Sequence, residues 1–177
     1  MIEVEAKVRV KNLKEARAKI RKIGKYKGRE RKIDDYYTLE SLREYPRKSL
    51  RVRRMNGKYI INFKQRISYD AGVFAKKEVE FETSDIAGFI ELIKNFGFRK
   101  WLRKEKETEL YEIKKNFHIE INYVKKLGYF LEVEYLAEKS EIGMARREVE
   151  RVLHELGIEK NDIVKDGYTK MLWNLRH

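Results

Sequence analysis

The sequence predicts an α+β fold in which eight antiparallel strands form a β-barrel-like tunnel and helices pack on the outside. Several segments alternate apolar and charged residues, which is the period of a half-buried strand. Three other segments carry apolar residues at helical spacing, and each ends at a glycine. Because that many antiparallel strands tend to close and so remove their edges, the helices would cover the apolar faces and the charged faces would line the inside.

The first strand shows the alternation most clearly. In residues 2–10 the even positions are apolar, and the odd positions are charged from Glu3 onward. Asn12 can cap a following helix with Glu15 as its reciprocal partner, and Gly24 ends the apolar stripe of that helix. The chain therefore begins as a strand followed by an amphipathic helix.

Turn residues locate the middle strands. Asn56 and Gly57 stand between two β-type segments and are a strong signal for a two-residue hairpin. Gly72 opens the strand that follows the hairpin. The five strands predicted up to this point are residues 2–10, 32–39, 49–55, 58–66 and 73–82.

The remaining elements follow a second helix that Asp85 caps and Gly97 ends. A long helix begins near Ser140 and is closed by Gly157. The last three strands are predicted at residues 98–112, where the pattern also allows a break into two, 117–123 and 129–136, and a short C-terminal helix at 168–175.

Composition limits the function classes. The 177 residues suit a single domain spanning 1–177, and the absence of cysteine excludes disulfides, thiolate metal sites and thiol nucleophiles. Met1 runs directly into the first strand, and no apolar run reaches the ~20 residues of a membrane helix, so we expect a cytoplasmic protein without a membrane partner. The high content of lysine, arginine and glutamate is typical of thermophile proteins.

The charge balance predicts an anionic partner. Lysine and arginine number 42 against 29 for aspartate and glutamate, which gives a net charge of +13. Nucleic acid, anionic lipid and polyphosphate metabolites would all satisfy such an excess. A basic surface typical of thermophiles, without any partner, is the alternative that the net charge alone leaves open.

Three strands each place two carboxylates on one face, because residues i and i+2 of a strand point the same way. Other strands place two cations at the same spacing. On an open sheet such faces are simply solvated, whereas in a closed barrel they would suit a metal-bound polyphosphate. The acidic pairs are Glu3 and Glu5, Glu78 and Glu80, and Glu132 and Glu134; the basic pairs are Arg51 and Arg53, Lys64 and Arg66, and Lys104 and Lys106.

These residues resemble a known family. Glu3-Val4-Glu5-Ala6-Lys7 is similar to the N-terminal ExExK signature of the CYTH superfamily, the triphosphate tunnel metalloenzymes. Residues 122–134 resemble the DxVxxLGxFxExE segment of class IV (CyaB-type) adenylate cyclases and their archaeal relatives. Further similar segments, in the family's order, are residues 34–37 (DxYF-like), 50–53 (LRxR), 63–64 and 76–80 (basic-x-ExE).

Two positions depart from the family pattern. Asn122 stands where the family segment usually has aspartate, which puts a metal role at this position in doubt. Lys104-Glu105-Lys106 stands where the family has a K-x-R strand, so the bidentate grip of an arginine is missing.

The resemblance implies an eight-stranded tunnel that binds Mg²⁺ or Mn²⁺ and a triphosphate. The implied metal ligands are Glu3, Glu5, Glu132 and Glu134, with Glu78 and Glu80 as second candidates. The implied phosphate-binding residues are Arg51, Arg53, Lys64, Lys76, Lys104 and Lys106, together with Lys7. Lys7, Tyr36 and Tyr168 are the candidate catalytic residues, as substrate contacts or proton relays. His118, His154 and His177 form no cluster by spacing, and we expect none of them to be catalytic.

The expected function is conversion of ATP to cyclic AMP and pyrophosphate by a class IV adenylate cyclase-like enzyme. The alternatives are an inorganic or thiamine triphosphatase on the same scaffold, and a polyphosphate or nucleotide binder without turnover. The substrate would accordingly be ATP, tripolyphosphate or thiamine triphosphate. Nucleic acid is not expected, because the acidic pairs would repel its phosphates unless metal intervened. Association into a homodimer is left open.

Overall fold

The computed structural model describes residues 2–70 and 73–176, with the side chains of 64–70 and 73–78 excluded. Every strand of the described chain pairs on both sides, in the order β1-β5-β4-β3-β2-β6-β7-β8 and back to β1, so the antiparallel sheet closes into a barrel. The predicted α+β fold is thereby confirmed. The strands are β1 (Ile2–Arg9), β2 (Lys25–Thr38), β3 (Leu50–Met55), β4 (Lys58–Asp70), β5 (Val73–Thr83), β6 (Arg99–Lys114), β7 (Phe117–Val124) and β8 (Gly128–Ala137).

The helices lie outside the barrel, and the first two begin where the sequence places their caps. Asn12 accepts a hydrogen bond from the Glu15 amide at 3.1 Å, and Asp85 accepts one from the Gly88 amide at 2.8 Å. The helices are α1 (Leu13–Ile23), α2 (Ile86–Asn95), α3 (Ile142–Glu155) and α4 (Tyr168–Asn174). No helix in the described part of the chain has both the length and the apolar character that crossing a membrane requires.

The apolar core lies between the barrel wall and the helices. Ile20 of α1 and Val149 of α3 pack in one cluster against apolar residues of β1, β6, β7 and β8. Ile93 of α2 packs with Val52 and Ile61 of the hairpin strands. Since the apolar faces are used on the outside, the opposite faces of the strands are left to line the barrel, as the alternation predicts.

Two strands are clearly longer than predicted. β2 begins at Lys25 and not at residue 32, and β4 runs to Asp70 and not to residue 66, whereas β6 runs unbroken from Arg99 to Lys114 as one of the two predicted forms. Where the middle parts of β2 and β6 pair, their outer faces carry ion pairs such as Arg31 with Glu105, and Arg29 with Glu107. Both faces of these middle parts are therefore charged, and the apolar alternation that marks a strand in sequence is missing there.

The hairpin between β3 and β4 has the predicted two-residue turn. Asn56 has φ 50° and Gly57 has φ 78°, so both lie in the left-handed region that this turn requires. Nothing lies within 4 Å of the position that a Cβ of Gly57 would occupy. The requirement for glycine there is thus conformational and not steric.

We expect Gly57→Ala to lower the free energy of unfolding by about 1–2 kcal/mol, because alanine is strained at positive φ. Gly143→Ala is the matched control. It lies in α3 with Arg147 Nη1 at 3.8 Å as the nearest atom, so alanine should stabilise the protein by roughly 0.5–1 kcal/mol. Urea unfolding measures the free energy of unfolding of both variants. Equal changes of the same sign in Gly57→Ala and Gly143→Ala would contradict the turn assignment.

Candidate active site

Three carboxylates converge inside the barrel on adjacent strands. Glu3 and Glu5 project from β1, and Glu134 of β8 lies directly opposite Glu5 in the antiparallel register. One oxygen from each of the three carboxylates lies within 4.8 Å of the other two. Glu3 is buried and the other two are half-buried. We refer to Glu3, Glu5 and Glu134 as the carboxylate trio.

The electrostatics of the carboxylate trio favour a cation. Burial raises the pKa of Glu134 well above its ordinary value, and the nearby carboxylate of Glu3 raises it further. The raised pKa means that the negative charge of Glu134 is destabilised beside the carboxylates of Glu3 and Glu5. An oxygen-only donor set with excess negative charge is the kind that holds Mg²⁺ or Mn²⁺.

A histidine contacts the carboxylate trio. Nε2 of His118 on β7 lies 3.0 Å from Oε1 of Glu134. Burial lowers the pKa of His118, so its imidazole is neutral at pH 7 and adds no positive charge to the trio. The sequence analysis assigned no role to this residue, and its partner comes from a different strand.

A second acidic pair lies next to the trio and is bound by lysines. Nζ of Lys106 is 2.8 Å from Oε2 of Glu120 and 3.6 Å from Oε2 of Glu132, and Nζ of Lys32 is 3.2 Å from Oε1 of Glu120. Burial would raise the pKa of Glu120, but the charges of Lys106 and Lys32 outweigh it and hold the pKa well below its ordinary value. Glu132, an expected metal ligand, thus lies with these lysines and apart from the carboxylate trio.

A third group of charges surrounds Asp34, which is fully buried. Arg53 donates two hydrogen bonds to it, from Nε at 2.7 Å and from Nη2 at 3.0 Å, and Nζ of Lys104 lies at 2.9 Å. Burial would raise the pKa of Asp34, but Lys104, Arg53 and Arg51 hold it well below its ordinary value. Arg53 and Lys104, two of the cations expected to bind phosphate, are thus held in place by one carboxylate.

Tyr168 of α4 lies among the lysines of the barrel. Its ring centroid is 4.3 Å from Nζ of Lys7, 5.6 Å from Nζ of Lys104 and 6.0 Å from Nζ of Lys106. Burial and the charge of Glu132 raise the pKa of Tyr168 well above its ordinary value, so the phenol keeps its proton. Tyr168 can therefore donate a hydrogen bond but cannot act as a base near neutral pH.

The remaining expected residues are spread along the wall. Nζ of Lys104 is 5.6 Å from the ring centroid of Tyr36, and the ring of Tyr36 also packs on Trp101. The exposed Glu80 accepts a hydrogen bond from Asn62 and lies 3.8 Å from Arg51, away from the carboxylate trio. The side chains of Lys64, Lys76 and Glu78 lie outside the described residues.

The chain matches the CYTH domain family over residues 1–168. It belongs to the CYTH domain family. A comparison with curated protein sequences finds no match. The family match confirms the resemblance drawn from the strand motifs, and it covers every candidate residue of the site.

Solved structures share the whole CYTH fold. The chain is similar to the PH1012 protein from Pyrococcus horikoshii OT3, with 31% identity and a TM-score of 0.80 over 95% of this chain and 98% of that one. It is also similar to a candidate adenylate cyclase from Vibrio parahaemolyticus, with 18% identity, a TM-score of 0.79 and coverage of 97% and 98%. A third is the candidate adenylyl cyclase HpAC1 from Hippeastrum, described as having a dominant triphosphatase activity, with 16% identity, a TM-score of 0.65 and coverage of 96% and 93%.

The structure of this CYTH domain adds polar residues that the sequence analysis did not assign to the site. All of them are buried, and each contacts a residue of the expected site or another residue of this added set. Glu120 and Asn122 alternate with isoleucines on β7, the same i and i+2 spacing that marks the acidic pairs, so this signal was present in the sequence. The added residues are Lys32, Asp34, Thr108, Glu120 and Asn122.

Proposed function

We propose that this CYTH protein is a divalent-metal-dependent enzyme that acts on a triphosphate substrate, and that its reaction is cyclisation of ATP to cyclic AMP with release of pyrophosphate. The observation that supports it is the carboxylate trio facing the same barrel interior as a set of buried cations. Carboxylates alone would hold a metal, and cations alone would hold any anion. Both together suit a metal-bound polyphosphate.

The carboxylate trio is the proposed metal site. Its three converging oxygen donors, and the carboxylates of Glu3 and Glu5 that raise the pKa of Glu134, fit a hard divalent cation. A bound divalent cation supplies charge neutralisation and orientation for phosphate oxygens. Of the glutamates that the resemblance suggests, Glu132 and Glu80 are not proposed as ligands, because each contacts a cation or an amide elsewhere.

The buried cations are the proposed triphosphate site. Four of these cations are buried or nearly so: Lys7, Arg51, Arg53 and Lys104. An ion pair between them and a phosphate would be stronger in this low-dielectric interior than in water. Asp34 fixes the direction of the Arg53 guanidinium by two hydrogen bonds, so the arginine needs no reorganisation when phosphate binds. Tyr168 keeps its proton and can donate to a phosphate oxygen or to the leaving pyrophosphate.

The choice of nucleophile separates the two candidate reactions. In a cyclase the ribose 3′-hydroxyl attacks the α-phosphate and pyrophosphate leaves, whereas in a triphosphatase water attacks the terminal phosphate. The ring of Tyr36 beside Lys104 gives an aromatic surface next to the phosphate cations, which favours a substrate with a base. The likeness to HpAC1 and the charged interior support a triphosphatase acting on tripolyphosphate or thiamine triphosphate as the second candidate.

One assay tests the proposal. The purified protein is incubated with ATP, tripolyphosphate and thiamine triphosphate, each with Mg²⁺, with Mn²⁺ and with EDTA, and the products are separated by chromatography. We expect cyclic AMP and pyrophosphate from ATP, with all turnover abolished by EDTA. Release of orthophosphate without cyclic AMP would replace the cyclase by the second candidate, and no turnover of any substrate would refute an enzymatic role.

A further inference from the structure

We propose that Asn122 confines divalent-metal binding to the carboxylate trio by closing the neighbouring Glu120–Glu132 pair to metal. The inference rests on the metal site of the proposed function and concerns a part of the barrel to which that proposal assigns no metal. It explains why a barrel with two adjacent groups of inward carboxylates would bind a cation at only one of them.

The Glu120–Glu132 pair has the geometry of a cation site. The two residues lie directly opposite each other on β7 and β8, and both are buried. Their Oε2 atoms already share one cation, because Nζ of Lys106 lies 2.8 Å from the first and 3.6 Å from the second. A metal ion at this pair would thus have to displace the Lys106 ammonium.

The side-chain amide of Asn122 donates hydrogen bonds to both carboxylates of the pair. Its Nδ2 donates to Oε2 of Glu120 at 3.1 Å and to Oε2 of Glu132 at 2.7 Å. The hydroxyl of Thr108 donates to Oδ1 of Asn122 at 2.7 Å, which fixes the amide with its nitrogen toward the glutamates. The amide side chain is fully buried and uses both of its N–H groups in these contacts.

Charge and hydrogen bonding together exclude a metal from the pair. Two glutamates are matched by the two ammonium groups of Lys32 and Lys106, so the pair is electrically balanced. A metal ion on the two Oε2 atoms would displace the Lys106 ammonium and compete with the Asn122 N–H groups for the same oxygens. A buried donor that loses its acceptor is strongly unfavourable, so the metal goes to the trio.

An aspartate at position 122 would give the Glu120–Glu132 pair more oxygen ligands and more negative charge. It would remove the two N–H donors, add oxygen ligands and set three carboxylates against two lysines. The pair would then resemble the carboxylate trio in the number of its oxygen donors. Asn122 therefore acts as a positioning residue that sets the number of metal ions.

The experiment counts bound Mn²⁺ by electron paramagnetic resonance and by calorimetry on the full chain, without substrate. We expect one tightly bound Mn²⁺ in the natural protein and two in Asn122→Asp, a twofold increase. Asn62→Asp is the matched control, because Asn62 is also a buried asparagine on the barrel wall but donates to Glu80, outside the Glu120–Glu132 pair. Its stoichiometry should stay at one.

Two results would overturn the inference. One is an Asn122→Asp protein that is folded and still binds one Mn²⁺. The other is a smaller amount of bound Mn²⁺ in Glu120→Gln or Glu132→Gln than in the natural protein. These two variants test the inference even if Asn122→Asp does not fold. Turnover is measured in parallel. One bound Mn²⁺ without turnover would refute the proposed function only, and turnover with two bound Mn²⁺ would refute this inference only.

Discussion

Glu5→Gln is expected to lower metal-dependent turnover roughly a thousandfold, which corresponds to about 4 kcal/mol of transition-state stabilisation. Glu5 faces Glu134 across the β1–β8 pairing and is one of the three converging carboxylates. The amide of glutamine keeps the shape of the side chain but removes its charge and replaces one oxygen ligand by a donor. Steady-state kinetics with Mn²⁺, together with circular dichroism to show an unchanged fold, measure the effect.

Glu80→Gln is the control for this experiment. Glu80 is a glutamate of β5 that contacts Asn62 and Arg51 and lies outside the carboxylate trio. We expect its kcat/KM to stay within a few-fold of the natural protein and its Mn²⁺ affinity to be unchanged. Equal losses in the two variants would show that the metal site is not the carboxylate trio.

Asp34→Asn is expected to lower the free energy of unfolding by about 3–5 kcal/mol, the range for removing one partner of a buried ion pair. The Asp34 carboxylate is fully buried and binds Arg53 and Lys104 at the same time. Without its charge, both cations remain buried and lose their main counterion. Urea denaturation at neutral pH measures the difference.

The neighbouring residue supplies the matched control. Asp35 points to the outer face, where its oxygens lie 2.7 Å from Nε of Arg103 and 2.8 Å from Nζ of Lys100. Since those partners are well exposed, Asp35→Asn should cost no more than about 1 kcal/mol. A similar loss in both variants would contradict the buried position of Asp34.

The Asp34 effect has a defined pH dependence. Because the pKa of Asp34 is lowered in the folded protein, its stabilisation is complete above the ordinary aspartate pKa of about 3.9 and is lost as pH falls toward the folded-state value. The difference in stability between the natural protein and Asp34→Asn should thus be constant above about pH 5 and narrow in acid. A difference that widens on acidification would have the wrong sign.

The fold was predictable wherever the signal is local. The period-2 alternation of β1, the Asn56-Gly57 turn and the cap at Asn12 each depend on a few neighbouring residues, and the structure contains all three. The early start of β2 was not predictable in this way. Its outer face is stabilised by ion pairs with β6, and such partners are far away in the sequence.

The candidate site shows the same division. The sequence indicates that Glu132 and Glu134 share a face, but only the register of β8 against β1 places Glu134 opposite Glu5 and Glu132 opposite Lys7. This register places Glu134 beside other carboxylates and Glu132 beside lysines. The spacing of Glu120 and Asn122 marks an inward face, but the partners of Glu120 come from β2, β6 and β8, so only the closed barrel shows which charges it binds.

Closure of the barrel has a consequence for how the chain folds during synthesis. β1 is translated before the other strands, yet one of its neighbours is β8, and Ile2 pairs with Ala137. The ring therefore cannot close until β8 has been translated, and β1 exposes an unpaired edge in the meantime. Pairing between such distant segments is typical of slow-folding β proteins, so this strand is the part of the nascent chain most exposed to intermolecular pairing.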